Sequence, residues 1–288
     1  MRLAILGFGL IGGSVARALH ERRPSWQISA WSPTGRGTAL ALAEGVIGRA
    51  PATAQGALEG AELVVLAAPP ATALAMLDDL VGPWREALAP DTVITDVVST
   101  KSTMVLRATA LGLRFVGGHP MAGRETSGYE ASSADLFVGR PWVVVPSGDA
   151  TADALVADLA RACGARPLRL SGAEHDAVVA AISHLPIIVA AALVEAVAGG
   201  AEADRSDWAV AATLAASGWR DTTRVARGDV AMGVGIAVTN GPAISARVRD
   251  LIGVLEAWAE ILDAPGTDPD AIDARLANAR ARLLAMPG

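Results

Sequence analysis

His119 stands in Gly117-Gly118-His119-Pro120, within a stretch from 115 to 137 that also holds Glu125 and a tail of small and polar residues. That composition suits a loop setting one imidazole and several backbone N–H groups against a small polar ligand. Imidazole titrates near pH 6.5, close to working pH, so His119 is the candidate general base. The chemistry it fits is removal of hydride from a carbon bearing a hydroxyl, because the hydroxyl proton must leave at the same time. Ser99, in Asp96-Val97-Val98-Ser99-Thr100-Lys101, follows an apolar run at the carboxyl edge where open α/β sheets bind ligands. It is placed to hydrogen-bond a substrate hydroxyl or to orient a histidine, whereas Asp96 and Lys101 read as a structural pair or a helix cap. His184 lies in Ser183-His184-Leu185-Pro186, inside an apolar helical stretch. A lone histidine there is ordinarily a satisfied core residue. With His175-Asp176 upstream and Ser183 adjacent, a polar strip facing a cleft is expected, and His184 is assigned to substrate contact. Arg220, in a dense polar patch from 218 to 224, can make the bidentate bond that a substrate carboxylate needs. The alternative, a salt bridge with Asp221 or another acid, suits Arg224 better.

Hydride needs an acceptor, and the N-terminus offers its site. Gly7, Gly9 and Gly12 form G-x-G-x-x-G directly after a predicted strand and at the start of a predicted helix, with Leu10 and Ile11 between them. In that context the first glycine permits the turn, the second admits a pyrophosphate and the third lets helix and strand pack. Phosphates would meet the free N–H groups of the helix start. At the end of the second strand, where NAD sites carry a carboxylate, stand Ser32, Thr34 and Arg36. Two hydroxyls and a guanidinium suit a 2′-phosphate, so NADP is expected, with NAD as the alternative. Ala68 and Pro69, in a small-residue turn after a further strand, are candidates to lie against the nicotinamide ribose.

The elements that must position these residues alternate along the first part of the chain. Strands are predicted at 2–6, 27–31, 63–67, 92–96, 114–116, 142–145 and 166–169, with helices between most of them. This rhythm means an α/β, doubly wound, mostly parallel sheet with helices on both faces. It stops near Leu170. From Ser171 onward only helices are predicted, with a turn from 265 to 269. The expected domains are therefore 1–170, dinucleotide-binding, and 171–288, all-α. The helical part has too many apolar faces for an isolated bundle, so a homodimer is expected.

Composition narrows the classes further. The formal charge is −6, from 24 Lys and Arg against 30 Asp and Glu, with no basic stripe, which argues against nucleic acid as a partner. Cys163 is the only cysteine and the four histidines are widely spaced, so neither a disulfide framework nor a metal site is expected. The apolar runs at 3–15 and 185–201 lack the features of a signal peptide or a span, the second being interrupted by Glu195 and Gly199-Gly200. A cytoplasmic protein without a membrane partner is expected.

The segments GFGLIGGS (7–14), DVVSTK (96–101), GGHPMAGRETSG (117–128), ISHLP (182–186) and SGWRDTTRVARGD (217–229) resemble the prephenate/arogenate dehydrogenase family of tyrosine biosynthesis. They span nearly the whole chain. The resemblance implies a Rossmann domain followed by a helical dimerisation domain, and oxidative decarboxylation of a cyclohexadienol. It implies that His119, assisted by Ser99, takes the C4 hydroxyl proton while C4 gives up hydride and the ring carboxylate leaves as CO₂. Arg220 would bind a substrate carboxylate, His184 with Ser183 would line the pocket, and Glu125 would gate or hydrogen-bond. Two departures stand out: Ile187 where many prephenate-using members have a histidine, and Ser32 where many have an acid. Both resemble the NADP-dependent arogenate dehydrogenases of cyanobacterial type. Arogenate to L-tyrosine is therefore the expected reaction, with prephenate to 4-hydroxyphenylpyruvate as the alternative. A dinucleotide sensor would have lost His119, Ser99 or Arg220, and a 3-hydroxyacid dehydrogenase needs a lysine elsewhere than Lys101, the sole lysine.

Overall fold

The structure is a computed structural model that describes every residue except Glu125, Ala201, Glu202, Thr267, Pro287 and Gly288, with only the backbone of Ala203 and Asp204. The first strands and helices alternate as β1 (Arg2–Leu6), α1 (Leu10–Arg22), β2 (Gln27–Trp31), α2 (Arg36–Ala43), α3 (Ala54–Leu58), β3 (Leu63–Leu66), α4 (Pro70–Val81), β4 (Val93–Asp96), α5 (Ser102–Ala110) and β5 (Phe115–Val116). The five strands form one parallel sheet in the order β2-β1-β3-β4-β5. Its central strands are buried on both faces. Leu3, Ile5, Leu63 and Val65 join one core with α1, while Ala4, Leu6, Val64 and Leu66 join a second core with α3, α4 and α5. The near-continuous apolar runs of β1 and β3 follow from this two-sided burial. Strand order reverses between β1 and β3, so the crevice at their carboxyl ends is the place where such sheets take ligands.

The remaining strands do not extend this sheet. Here β6 (Gly118–Pro120), β7 (Pro141–Val144) and β8 (Arg166–Arg169) form a separate three-stranded sheet, β6 antiparallel to β7 and β7 parallel to β8. His119 thus sits on a short strand, opposite Val143, and not in the turn expected from its glycines. Gly118 explains the composition: a Cβ there would lie 2.6 Å from the Asp96 carbonyl oxygen, so only glycine lets β6 approach the end of β4.

The tail of the same stretch also differs from a loop. Tyr129, Leu136 and Phe137 are buried. Tyr129 stacks on Phe8, lies beneath the Arg17 guanidinium and donates to Glu44 at 2.6 Å. Ser133 N–H donates to Ser14 Oγ, Arg17 donates to Ser132 Oγ, and Arg22 donates to the Ala134 carbonyl. The small residues fit because this segment is clamped against α1, where a Cβ on Gly13 would lie 2.7 Å from the Tyr129 ring and 3.1 Å from Ser132.

After α6 (Ala150–Ala162) and β8 come α7 (Gly172–Val179), a π turn (Ala180–His184), α8 (Leu185–Ala198), α9 (Trp208–Leu214), α10 (Ser217–Thr223), α11 (Val230–Asp263) and α12 (Pro269–Leu284). A two-residue ribbon, Gly199–Gly200 with Ala203–Asp204, is the only strand pairing among the described residues of this region. It was not expected. Ser171 caps α7 through a reciprocal capping box with Glu174. α11 breaks at Asn240 (φ −130°, ψ 22°), two residues before Pro242. The helical run Gly172–Ala198 is long and apolar enough to cross a membrane by length and composition alone. Its buried polar side chains, His175, Asp176 and His184, instead bond to protein partners.

The chain packs as two compact units, Met1–Gly241 and Pro242–Gly288. The first runs well past the boundary expected near Leu170, because α7 and the start of α11 are bonded to the end of the parallel sheet. Asp176 binds the backbone of Lys101 and Ser102, and Thr239 meets Thr100 at 2.9 Å. In the second unit, Arg275 lies 4.7 Å above the Trp258 ring.

Candidate active site

Two constructions occupy the carboxyl edge of the parallel sheet. The first is a backbone cradle. Gly7 has φ +92°, and a Cβ there would come within 2.4 Å of the Ala67 carbonyl oxygen, so the turns after β1 and β3 touch. A Cβ on Gly12 would meet the Gly7 carbonyl oxygen, also at 2.4 Å. At Gly9 a Cβ would meet nothing within 4 Å. Gly9, Leu10 and Ile11 are partly exposed, and α1 begins with no side-chain cap and no acid in its first turn. Its leading N–H groups are therefore open to an anion. Ala68 and Pro69 are partly exposed beside this opening. A dinucleotide pyrophosphate fits such a cradle, with Gly9 as the residue it would cover.

At the end of β2, Ser32 is partly exposed and Thr34 and Arg36 are exposed. Arg36 is not free. Its Nη2 lies 2.8 Å from Glu130 Oε1, both side chains being largely open to water. The sequence reading found no carboxylate near this strand end. One arrives from 94 residues away, on the segment clamped to α1.

The second construction is a chain of side chains. His119 Nδ1 lies 2.8 Å from His175 Nε2, and His175 Nδ1 lies 2.8 Å from Asp176 Oδ1. Asp176 also accepts the N–H of Lys101 at 2.7 Å and of Ser102 at 2.8 Å, at the start of α5. Asn240 Nδ2 donates to the Asp176 carbonyl oxygen at 2.9 Å and reaches His184 Nδ1 at 3.1 Å. His175, Asp176, His184 and Asn240 are buried, whereas His119 keeps part of its ring exposed. Beneath them Lys101 and Asp96 form a fully buried ion pair, and Asp96 accepts the N–H groups of Gly118 and Val98. That pair anchors β6 to β4, as the structural reading of both residues expected.

The electrostatics follow from burial. The surrounding protein, then His175, Lys101 and His184, hold the His119 imidazole well below 6.5, against the pull of Asp176. Burial pushes His184 down to about 4, so it is neutral at physiological pH. Burial pushes the Asp176 carboxyl up, but bonds from His175, Lys101 and Ser102 outweigh it and leave the group below its ordinary value. The site therefore presents a neutral imidazole backed by a carboxylate.

The other expected site residues are less closely gathered. Ser99 is partly exposed after β4 and meets Met232 Sδ at 4.0 Å; among the described residues no hydrogen bond joins it to His119. His184 is buried and its Nε2 has no hydrogen-bond partner among the described residues, while Ser183, next to it in the π turn, is exposed. The two do not share one surface. Arg220 is exposed on α10 and forms no side-chain bond among the described residues, Asp221 included. Glu125 lies outside the described residues. No cluster of metal-binding side chains occurs among the described residues.

Sequence reading missed Asn240 altogether and placed His175 only as part of a polar strip. Nine residues separate His175 from His184, two and a half α-helical turns, which would set them on opposite faces of a regular helix. The π turn between them alters that phase, and both imidazoles face the Asp176–Asn240 contact.

Residues 15–168 match the family model for the prephenate dehydrogenase nucleotide-binding domain, and residues 171–273 match that for the prephenate dehydrogenase dimerization domain. The chain belongs to the prephenate dehydrogenase family. It is 33% identical to the prephenate dehydrogenase of Bacillus subtilis over 258 residues, covering 87% of this chain and 67% of that one. Among solved structures it is similar to Synechocystis arogenate dehydrogenase, with a TM-score of 0.80, 29% identity and coverage of 99% of this chain and 100% of that one. It is also similar to the prephenate dehydrogenase of A. aeolicus solved with hydroxyphenyl propionate and NAD+, with a TM-score of 0.83, 25% identity and coverage of 99% and 96%. The protein is thus an NAD(P)-dependent oxidoreductase with a Rossmann-like domain followed by a helical domain.

Proposed function

We propose that the protein catalyses oxidative decarboxylation of arogenate to L-tyrosine with NADP+ as oxidant. The observation that carries the finer reading is the end of β2, where Ser32 and Thr34 offer hydroxyls and Arg36 a guanidinium. An exposed ion pair such as Arg36–Glu130 is screened by water and contributes little, so a 2′-phosphate can take Glu130's place at little cost. Gly7, Gly9, Leu10, Ile11, Gly12, Ala68 and Pro69 hold the dinucleotide, whose nicotinamide accepts the hydride when bound. His119 Nε2 receives the C4 hydroxyl proton, with Ser99 bonding the same hydroxyl, and loss of the ring carboxylate makes the ring aromatic. Arg220, unpaired among the described residues, binds a substrate carboxylate. Ser183 and His184, from different sides, and Glu125 are assigned to substrate binding. Ile187 on α8 removes one polar group from that set, which favours an amino acid side chain over a keto acid.

Glu130 favours a second reading, prephenate with NAD+, because it brings a carboxylate to Arg36 at the end of β2; the B. subtilis and A. aeolicus relatives carry that substrate's name. Steady-state kcat/KM for arogenate and prephenate, each with NAD+ and NADP+, tests the choice. Arogenate with NADP+ is expected to be highest, and prephenate with NAD+ highest would overturn it. The same reading makes the protein a cytoplasmic homodimer with domains 1–170 and 171–288. It is supported by the dimerization-domain match and by exposed apolar side chains such as Ile182, Leu214 and Val238.

A further inference from the structure

We propose that His175 and Asp176 are positioning residues that hold His119 in its Nδ1–H tautomer, leaving Nε2 as the proton-accepting nitrogen. The assignment follows from which atoms can donate. An ionised carboxylate only accepts, and Asp176 already accepts two backbone N–H groups at the start of α5, which fix its orientation. The proton between Asp176 and His175 therefore belongs to His175 Nδ1. A neutral imidazole with its proton on Nδ1 has only a lone pair at Nε2. His175 Nε2 must then accept, and the proton on the 2.8 Å contact with His119 belongs to His119 Nδ1. The remaining nitrogen of His119, Nε2, is left with its lone pair. With a neutral His175 ring each step follows from the one before it, and the starting point is a carboxylate pinned by backbone.

The arrangement also serves the charged product. When His119 takes a proton at Nε2, its Nδ1–H becomes a charge-assisted donor to His175, which is itself polarised by Asp176. Lys101, paired with Asp96, and His184, bonded to Asn240, also face this imidazole. Lys101, His184 and the His175 ring oppose the new positive charge, and among the described groups facing His119 the Asp176 carboxylate, behind His175, is the one that favours it. The same logic orients the histidine of a Ser-His-Asp triad, in which loss of the carboxylate yields the wrong tautomer and a large drop in kcat. Here the arm reaches the base through a second imidazole.

This inference rests on His119 being the base, but its geometric half is measurable without any reaction. The chain has four histidines, so ¹⁵N-histidine labelling with long-range ¹H–¹⁵N correlation can resolve each ring, His119 being assigned from the His119→Asn spectrum. The expected result is protonated Nδ1 and bare Nε2 on both His119 and His175 at neutral pH. A His119 ring protonated at Nε2 would overturn the proposal, whatever the enzyme's substrate. The functional half is read from His175→Leu and His175→Gln. His175→Leu should lower kcat about 10²-fold with little change in cofactor KM. The glutamine, whose amide can accept from His119 while donating to Asp176, should recover at least about tenfold of that loss. Equal losses in the two variants would reduce His175 to packing. A fully active leucine variant would remove it from the mechanism. If neither variant folds, the wild-type tautomer decides.

Discussion

The nucleotide cradle and the His119 network share one sheet edge but are made of different material. The cradle is almost all backbone. Its glycines exist so that turns can touch, and its one unfilled position, Gly9, is the gap a ligand would occupy. The network is almost all side chain, assembled from β6, α7, the π turn and the break in α11, and held by hydrogen bonds that replace the water its buried groups have lost. A backbone cradle can bind an anion at any pH because nothing in it titrates. A buried imidazole network is set by proton positions, and burial holds His119 and His184 neutral. Binding and proton transfer are thereby separable.

That separation can be broken or sharpened by substitution. The largest effect is expected at Gly7→Ala, which forces a Cβ into φ +92° and against a backbone oxygen 2.4 Å away. The backbone conformation alone costs on the order of 1–3 kcal/mol, and the clash adds to it. A large drop in Tm should follow, seen by thermal unfolding. Gly9→Ala should leave Tm within a degree or two and instead weaken cofactor binding about tenfold or more, measured by fluorescence titration. A Gly9→Ala protein with unchanged cofactor affinity would mean that the cradle is only a turn.

A smaller effect concerns stability against pH. The folded chain keeps His184 neutral down to about pH 4, whereas the unfolded chain protonates it near 6.5. Between those values the unfolded state binds more protons, so stability should fall as pH is lowered through that window. His184→Gln should flatten this part of the Tm profile. If both proteins lose stability in parallel, His184 is not the buried group that titrates.

The contrast also explains what the sequence could disclose. The cradle was legible because its parts are consecutive: strand, three spaced glycines, helix. The parallel sheet was legible for the same local reason, strand and helix periods alternating every few residues. His119 was recognisable by type, yet its strand was hidden, since three residues flanked by glycine and proline carry no period. The clamp from Tyr129 to Phe137 looked like a loop because it packs small residues against the small residues of α1. Glu130 beside Arg36 and Asn240 beside His184 are pairings of residues far apart in the chain, which no local pattern marks. His175 was visible but out of phase, because a π turn leaves no reliable trace in sequence.

The role of His119 is tested most directly by the pH dependence of kcat/KM in the wild type and in His119→Asn. With the imidazole held well below 6.5, wild-type activity should stay level through neutrality and fall only on an acid limb below that value, as the base becomes protonated. His119→Asn should lose about 10²-fold or more in kcat, keep its cofactor affinity and lose that acid limb. A variant that retains both the wild-type rate and the acid limb would show that the proton goes elsewhere.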